Sequence, residues 1–343
     1  MNSNFKTNIP ELDNIISALT KDYFDIEKAE IIRQMFTAVA KFGLESSNRG
    51  DMKLLNSNIK ELRYAFHVFS KYREVRKVVI FGSARTKEDQ IEYKMAEEFA
   101  RKIAQKGFMI ITGAGNGIME AGNKGAGKDK SFGVNIMLPY EQKANKFILE
   151  KNQINFKYFF TRKLIFLKES DATVLLPGGF GTLDEGMEVL TLIQTGKTRP
   201  RPIIFIEPEG SDFWGLFHDF IRNKLLKNHY ISYEDLSLFK VVNNIDKAVE
   251  EIENFYAIYH STRFVKEKTV LRLTQPVSEN IVKKLNENFK DLLIKGSITT
   301  GPPQEDEIKN NEFVELPRLI MLFNRKNYGR LVDLIRFLNK NIE

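Results

Sequence analysis

Between residues 77 and 206 the chain repeats one pattern, a short apolar run followed by a longer amphipathic stretch. The runs are KVVIF (77–81), FMIIT (108–112), FGVNIM (132–137), ATVLL (172–176) and PIIFI (202–206). Runs this apolar, with little alternation, read as strands buried on both faces. The intervening EYKMAEEFARKIAQKG (92–107) has helical periodicity and ends in a glycine suited to a left-handed cap. Strand-helix alternation predicts an α/β fold, a Rossmann-like doubly wound parallel sheet. In such sheets ligands bind where the loops gather, at the carboxyl ends of the strands.

The flanks follow other rules. From 14 to 72 apolar residues such as Ile31, Ile32, Met35, Phe36 and Val39 recur at spacings of three and four, which predicts helices broken by the polar SSNRGD at 46–51. Near the end, TVLRLT (269–274) and LPRLIMLFN (316–324) read as strands, and 279–294 and 328–341 as helices. GPPQEDEIKNNE (301–312) reads as a long loop. The expected organisation is therefore a helical N-terminal extension (1–75), a Rossmann-like nucleotide-binding catalytic domain (76–258) and a small α+β C-terminal domain (259–343). A chain of 343 residues, 42% hydrophobic, has room for more than one domain.

Composition removes several chemistries. Without cysteine the chain has no disulfide, thiolate metal site or cysteine nucleophile, which suits a reducing cytosol. His67, His218, His229 and His260 are scattered, with no pair at metal-ligand spacing. The first residues lack a leader-like apolar segment, and no run approaches the length of a membrane span. A soluble, cytoplasmic protein is expected, with no membrane partner. The net charge of +7 would concentrate anionic ligands, although a solvated lysine-rich surface is the simpler explanation for it.

Three glycine-rich loops follow candidate strands: FGSARTK, TGAGNGIME and PGGFGTLDE. Glycines at a strand-to-helix turn let backbone N–H groups approach an anion, and the following helix dipole adds to the attraction. Phosphate is the natural guest. Gly113, Gly115 and Gly117 do not complete a dinucleotide fingerprint, because Ile118 stands where glycine or alanine belongs. Gly122, Gly127 and Lys128 imitate a phosphate-loop NTPase, but Asp129 replaces the metal-binding hydroxyl. In the third loop, Thr182 and Glu185 have the spacing of a capping box. A cap alone does not require Pro177, Gly178, Gly179 and Gly181 as well.

PGGFGTLDE matches the P-G-G-x-G-T-x-x-E signature of the LOG (LONELY GUY) family, often labelled "lysine decarboxylase-like". FGSAR, TGAGNGIMEAGNKGA, LPYEQKAN, FFTRKLIF and EVLTLIQTGK resemble further family segments in the same order, covering roughly 76–256. The longer chain resembles the extended bacterial members. The resemblance implies hydrolysis of a nucleoside 5'-monophosphate, with a purine base expected, to free base and ribose 5-phosphate, without metal or cofactor. It also implies a homodimer or an assembly of dimers.

Carried onto this sequence, the resemblance assigns the 5'-phosphate to Gly178, Gly179, Phe180, Gly181 and Thr182, and catalysis to Arg162 and Glu185. A carboxylate suits an oxocarbenium-like transition state and the activation of water. A guanidinium stays charged while holding phosphate or base. Lys163 adds a point charge, and a basic pair at a helix start opposes the helix dipole, which favours function over surface decoration. Glu141 and Thr191 match nucleotide-contacting positions. Ser83, Gly113, Asn116 and Glu120 are further candidates on the first two loops, each equally explicable as a cap or surface residue. No pyridoxal phosphate site can be picked out. The competing expectations are a nucleotide or molybdenum-cofactor carrier of the same fold, which would need neither Arg162 nor Glu185, and a nucleic-acid binder, which no recognised module supports.

Overall fold

The computed structural model describes residues 5–45, 48–137 and 144–341. Two compact units divide the chain, Met1–Arg63 and Tyr64–Glu343. The first is helical: α1 (Pro10–Tyr23), α2 (Ile26–Glu45) and most of α3 (Arg49–Ser70). Pro10 opens α1 at the one helical position where a missing N–H costs nothing. None of the helices among the described residues is long and apolar enough to cross a membrane.

In the second unit the expected alternation is realised as β1 (Lys77–Phe81), α4 (Ile91–Gln105), β2 (Met109–Thr112), α5 (Ile118–Ala126), β3 (Ser131–Ile136), β4 (Gln153–Phe156), α6 (Phe159–Glu169), β5 (Ala172–Leu175), α7 (Phe180–Gln194), β6 (Ile203–Ile206), α8 (Phe213–Phe220), β7 (Lys240–Val242) and α9 (Ile245–Phe255). The seven strands pair in the order β4-β3-β2-β1-β5-β6-β7, all parallel. Helix α4 stops at Gln105, and Gly107, with φ +92°, turns the chain back toward β2.

Strand side chains alternate between faces. Val78, Ile80, Val174 and Ile204 pack with Phe99 and Ile103 of α4, Ile118 of α5 and Ile252 of α9. On the opposite face Phe81 meets Phe166 of α6 edge-on, and Phe205 packs on Trp214 of α8. Phe69, at the end of α3, and Tyr72 cover Phe132 of β3. The sheet is thus covered on both sides, as its unbroken apolar runs require.

The tail forms a second, antiparallel sheet from β8 (Tyr259–Val265), β9 (Lys268–Leu273), β10 (Thr299–Thr300) and β11 (Arg318–Met321), ordered β10-β11-β9-β8. Helices α10 (Glu279–Asn288), α11 (Glu305–Lys309) and α12 (Tyr328–Lys340) complete it. The long loop expected at 301–312 contains α11, closed by a capping box between Gln304 and Glu307. Glu307 is fully buried between Arg272 and Arg318, at 2.7 and 3.2 Å. Opposite charge and a satisfied cap order a segment whose composition reads as loop.

Candidate active site at the switch point between β1 and β5

Strand order reverses at β1, which has β2 on one side and β5 on the other. The carboxyl ends of β1 and β5 are therefore the crevice where an open α/β sheet takes its ligand. FGSAR and PGGFG emerge here side by side, with TGAGNG adjacent. Ser83 ties them together: its N–H donates to the Pro177 carbonyl at 3.1 Å, and its carbonyl accepts the Ile118 N–H at 3.1 Å. The Ser83 hydroxyl accepts from the Arg85 N–H, closing the turn.

The glycines divide by what a side chain would meet. A Cβ on Gly178 would lie 2.2 Å from Thr182 Oγ1, and one on Gly117, where φ is +64°, 2.3 Å from the Ser83 carbonyl oxygen. These two are needed for loops to touch. A Cβ on Gly179 or Gly181 would meet nothing within 4 Å. Packing within this chain accounts for neither of them.

Helix α7 starts at Phe180, with Gly179 as its cap residue. Thr182 therefore sits inside the first turn and is buried, and its capping box with Glu185 does not form. The competing demand of tight strand-helix-loop packing at Gly178 moves the N-cap three residues earlier, from Thr182 to Gly179. First-turn amides of a helix have no acceptor within it. At α7 the Thr182 and Leu183 N–H groups donate to the Gly179 carbonyl at 3.0 and 3.1 Å, while Gly179 and Gly181 leave open space beside the almost fully exposed Phe180.

Glu185 lies one helical turn further on, its side chain 12% exposed against a crevice lined by Val79, Phe81, Phe166 and Val189. Burial pushes its carboxyl up to about 7; Lys163 and Arg162 pull it down and Glu188 pushes it up further. Lys163 on α6 reaches Asp184 at 2.9 Å, Glu185 at 3.3 Å and Glu188 at 2.9 Å. Burial lowers its pKa, but these carboxylates more than offset that and leave it above the ordinary lysine value. Glu188 was absent from the sequence expectations, although its spacing of three from Glu185 places both on one helix face.

Arg162, next to Lys163, is held differently. Its Nε donates to the Val134 carbonyl at 2.8 Å, and its guanidinium lies over the Phe166 ring. Desolvation lowers its pKa to about 10, with Glu185 opposing the shift. A Cβ on Gly113 would come within 2.3 Å of Nη2, so the bare backbone there forms one wall of the arginine's seat. Among the described residues no carboxylate lies within salt-bridge distance of Arg162.

Of the remaining candidates, Asn116 is exposed and Glu120 half-buried at the start of α5. Thr191 is exposed, its hydroxyl donating to the Met187 carbonyl along α7. Glu141 lies outside the described residues. Two polar residues not singled out from the sequence, Asn123 and Asn145, are buried behind the second loop; they lie in TGAGNGIMEAGNKGA and LPYEQKAN, two of the segments that carry the resemblance.

A family profile described as "Possible lysine decarboxylase" matches residues 114–252. The chain is 31% identical over 163 residues to a Mycobacterium tuberculosis protein named cytokinin riboside 5'-monophosphate phosphoribohydrolase, covering 46% of this chain and 82% of that one. It is 36% identical over 90 residues to the Arabidopsis thaliana protein named probable cytokinin riboside 5'-monophosphate phosphoribohydrolase LOG6, covering 26% and 31%. Among solved structures, the molybdenum cofactor binding protein of Rippkaea orientalis aligns at 20% identity and a TM-score of 0.37, over 52% of this chain and 94% of its own. With its glycine signature running into α7 and its relationship to the mycobacterial protein over most of that protein's length, the chain belongs to the LOG family.

Proposed function

We propose that the protein hydrolyses the N-glycosidic bond of a nucleoside 5'-monophosphate, a purine nucleotide such as AMP, releasing the base and ribose 5-phosphate. The observation that carries this reading is the spacing on α7. The phosphate seats on the first-turn amides, where Gly179 and Gly181 leave room and the helix dipole favours an anion. Glu185 follows Gly181 by four residues, about 6 Å along the axis, a span comparable with that from the phosphate to the anomeric carbon of the same ribose.

In this account Glu185 acts ionised, stabilising positive charge at the anomeric carbon and orienting the attacking water. Its raised pKa keeps it basic enough to accept a proton from that water near neutral pH. Arg162, desolvated and without a carboxylate partner among the described residues, is placed to hold the nucleotide and to balance charge on the departing base. Lys163 keeps Asp184 and Glu188 neutralised beside Glu185. The apolar residues exposed on α6 and at the start of α7, Phe159, Phe160, Leu164 and Phe180, are the surface we assign to a second copy of the chain.

Incubating the purified protein with AMP, GMP, IMP and CMP, and following free base by chromatography, tests the reading. Release of a purine base supports it, and absence of base from every nucleotide together with tight binding would replace it with a carrier function.

A further inference from the structure

Ala114 follows Gly113 in the second loop, is fully buried, and has φ +65°. An L-residue with a Cβ is disfavoured there, so the surroundings must hold it. Thr112 Oγ1 accepts the Ala114 N–H at 3.0 Å. The Ala114 carbonyl accepts the Asn145 backbone N–H at 2.9 Å and its side-chain Nδ2 at 3.3 Å. Asn145 Nδ2 also donates to the Gly115 carbonyl at 3.1 Å and to Asn123 Oδ1 at 3.0 Å, and the latter accepts from the Thr112 hydroxyl at 2.6 Å. Asn145 is itself only 8% exposed.

Packing on two sides of this strained residue leads to Arg162, directly through Gly113 and indirectly through Gly133 and Val134. On one side Gly113 closes against Nη2. On the other, the Ala114 methyl would lie 2.9 Å from a Cβ on Gly133, and the residue after Gly133, Val134, supplies the carbonyl that accepts Arg162 Nε. A relaxation of Ala114 out of the left-handed region displaces Gly113 and opens the guanidinium's seat.

We propose that Asn145 is a positioning residue of the active site, holding Ala114 in its left-handed conformation and thereby fixing the Arg162 guanidinium. Its kinetic consequence rests on the hydrolase reading; its structural consequence does not. A glycine at 114 would adopt the same backbone without help, so the strain makes the seat of Arg162 depend on Asn145.

The test is a rescue. Asn145→Ala lowers kcat on AMP by an order of 10 to 100-fold, the usual effect of misplacing a catalytic group by about an ångström, with a smaller change in KM. Adding Ala114→Gly to Asn145→Ala restores most of kcat at a temperature where both variants are folded by circular dichroism. Parent-like kcat in Asn145→Ala, or a double variant no faster than the single, overturns the proposal. If Asn145→Ala does not fold, Asn145→Ser is compared with Asn145→Ser/Ala114→Gly in the same way. Independently of any turnover, the Arg162 Nε–H resonance, assigned by its loss in Arg162→Lys, moves in the Asn145 variant and returns in the double variant. A resonance that stays in place overturns the proposal even if the protein hydrolyses no nucleotide.

Discussion

Lys163 Nζ stands 3.3 Å from Glu185 Oε1 while also bonding Asp184 and Glu188 at 2.9 Å each, so one ammonium serves three carboxylates. Glu185 receives only a share of that charge. Burial therefore prevails over ion pairing, and its carboxyl titrates near 7 instead of in the ordinary range.

The pH dependence of turnover follows. kcat/KM for AMP rises with pH through an apparent pKa of about 7, as Glu185 ionises, while the Arg162 guanidinium stays charged throughout. Lys163→Met removes a group that lowers the Glu185 pKa, so its acid limb moves above that of the parent. An acid limb at the same pH in both proteins assigns it to another group, such as the substrate phosphate.

Stability should respond to the same carboxyl. Folding raises its pKa from 4.5 to about 7, so folding favours the protonated form. That stability is fully present below about pH 4.5 and is lost as pH rises to about 7. Glu185→Gln escapes the loss: it matches the parent in urea unfolding at low pH and is more stable by roughly 3 kcal/mol above pH 7. A variant less stable than the parent at high pH contradicts the burial argument.

The glycines of the signature separate into two kinds of variant. Gly178→Ala drives a methyl into Thr182 and the Ser83 N–H and lowers Tm. Gly181→Ala leaves Tm unchanged or slightly raised, since alanine suits a helix better by up to about 1 kcal/mol, and raises KM for nucleotides. A Gly181→Ala variant with parent KM would remove the phosphate from this turn.

The exposed side chains of Phe159, Phe160 and Leu164 on α6 predict self-association. Light scattering should give twice the mass of one chain, and the paired substitution Phe159→Glu with Leu164→Glu should give one. A monomeric parent at micromolar concentration contradicts the assignment.

The parallel sheet was legible because its strands are buried on both faces and write that burial as unbroken apolar runs. Strand β4, QINF, was not: it lies at the sheet edge, where Gln153 and Asn155 are tolerated and hydrogen-bond each other. Strand β8, YHSTRFV, belongs to the thinner second sheet and mixes polar residues into its pattern. The signature loop was legible as an anion-binding turn from glycine density alone, whereas the role of each glycine needed the neighbours that a Cβ would meet. Glu185 and Lys163 were visible as residues, but their pairing joins α6 to α7 across residues 163 and 185, and no local pattern encodes it. The role of Asn145, at the end of the quoted LPYEQKAN, was hidden for the same reason, since its partners lie 22 to 31 residues away.

The measurement that tests the central claim most directly is the identity of the bond broken in AMP. Products of an overnight reaction, resolved by chromatography for adenine and by phosphorus NMR for the phosphorylated sugar, should be adenine and ribose 5-phosphate in equal amounts, and Glu185→Gln should yield neither. Adenosine with inorganic phosphate, or adenine release by Glu185→Gln at the parent rate, would contradict the account.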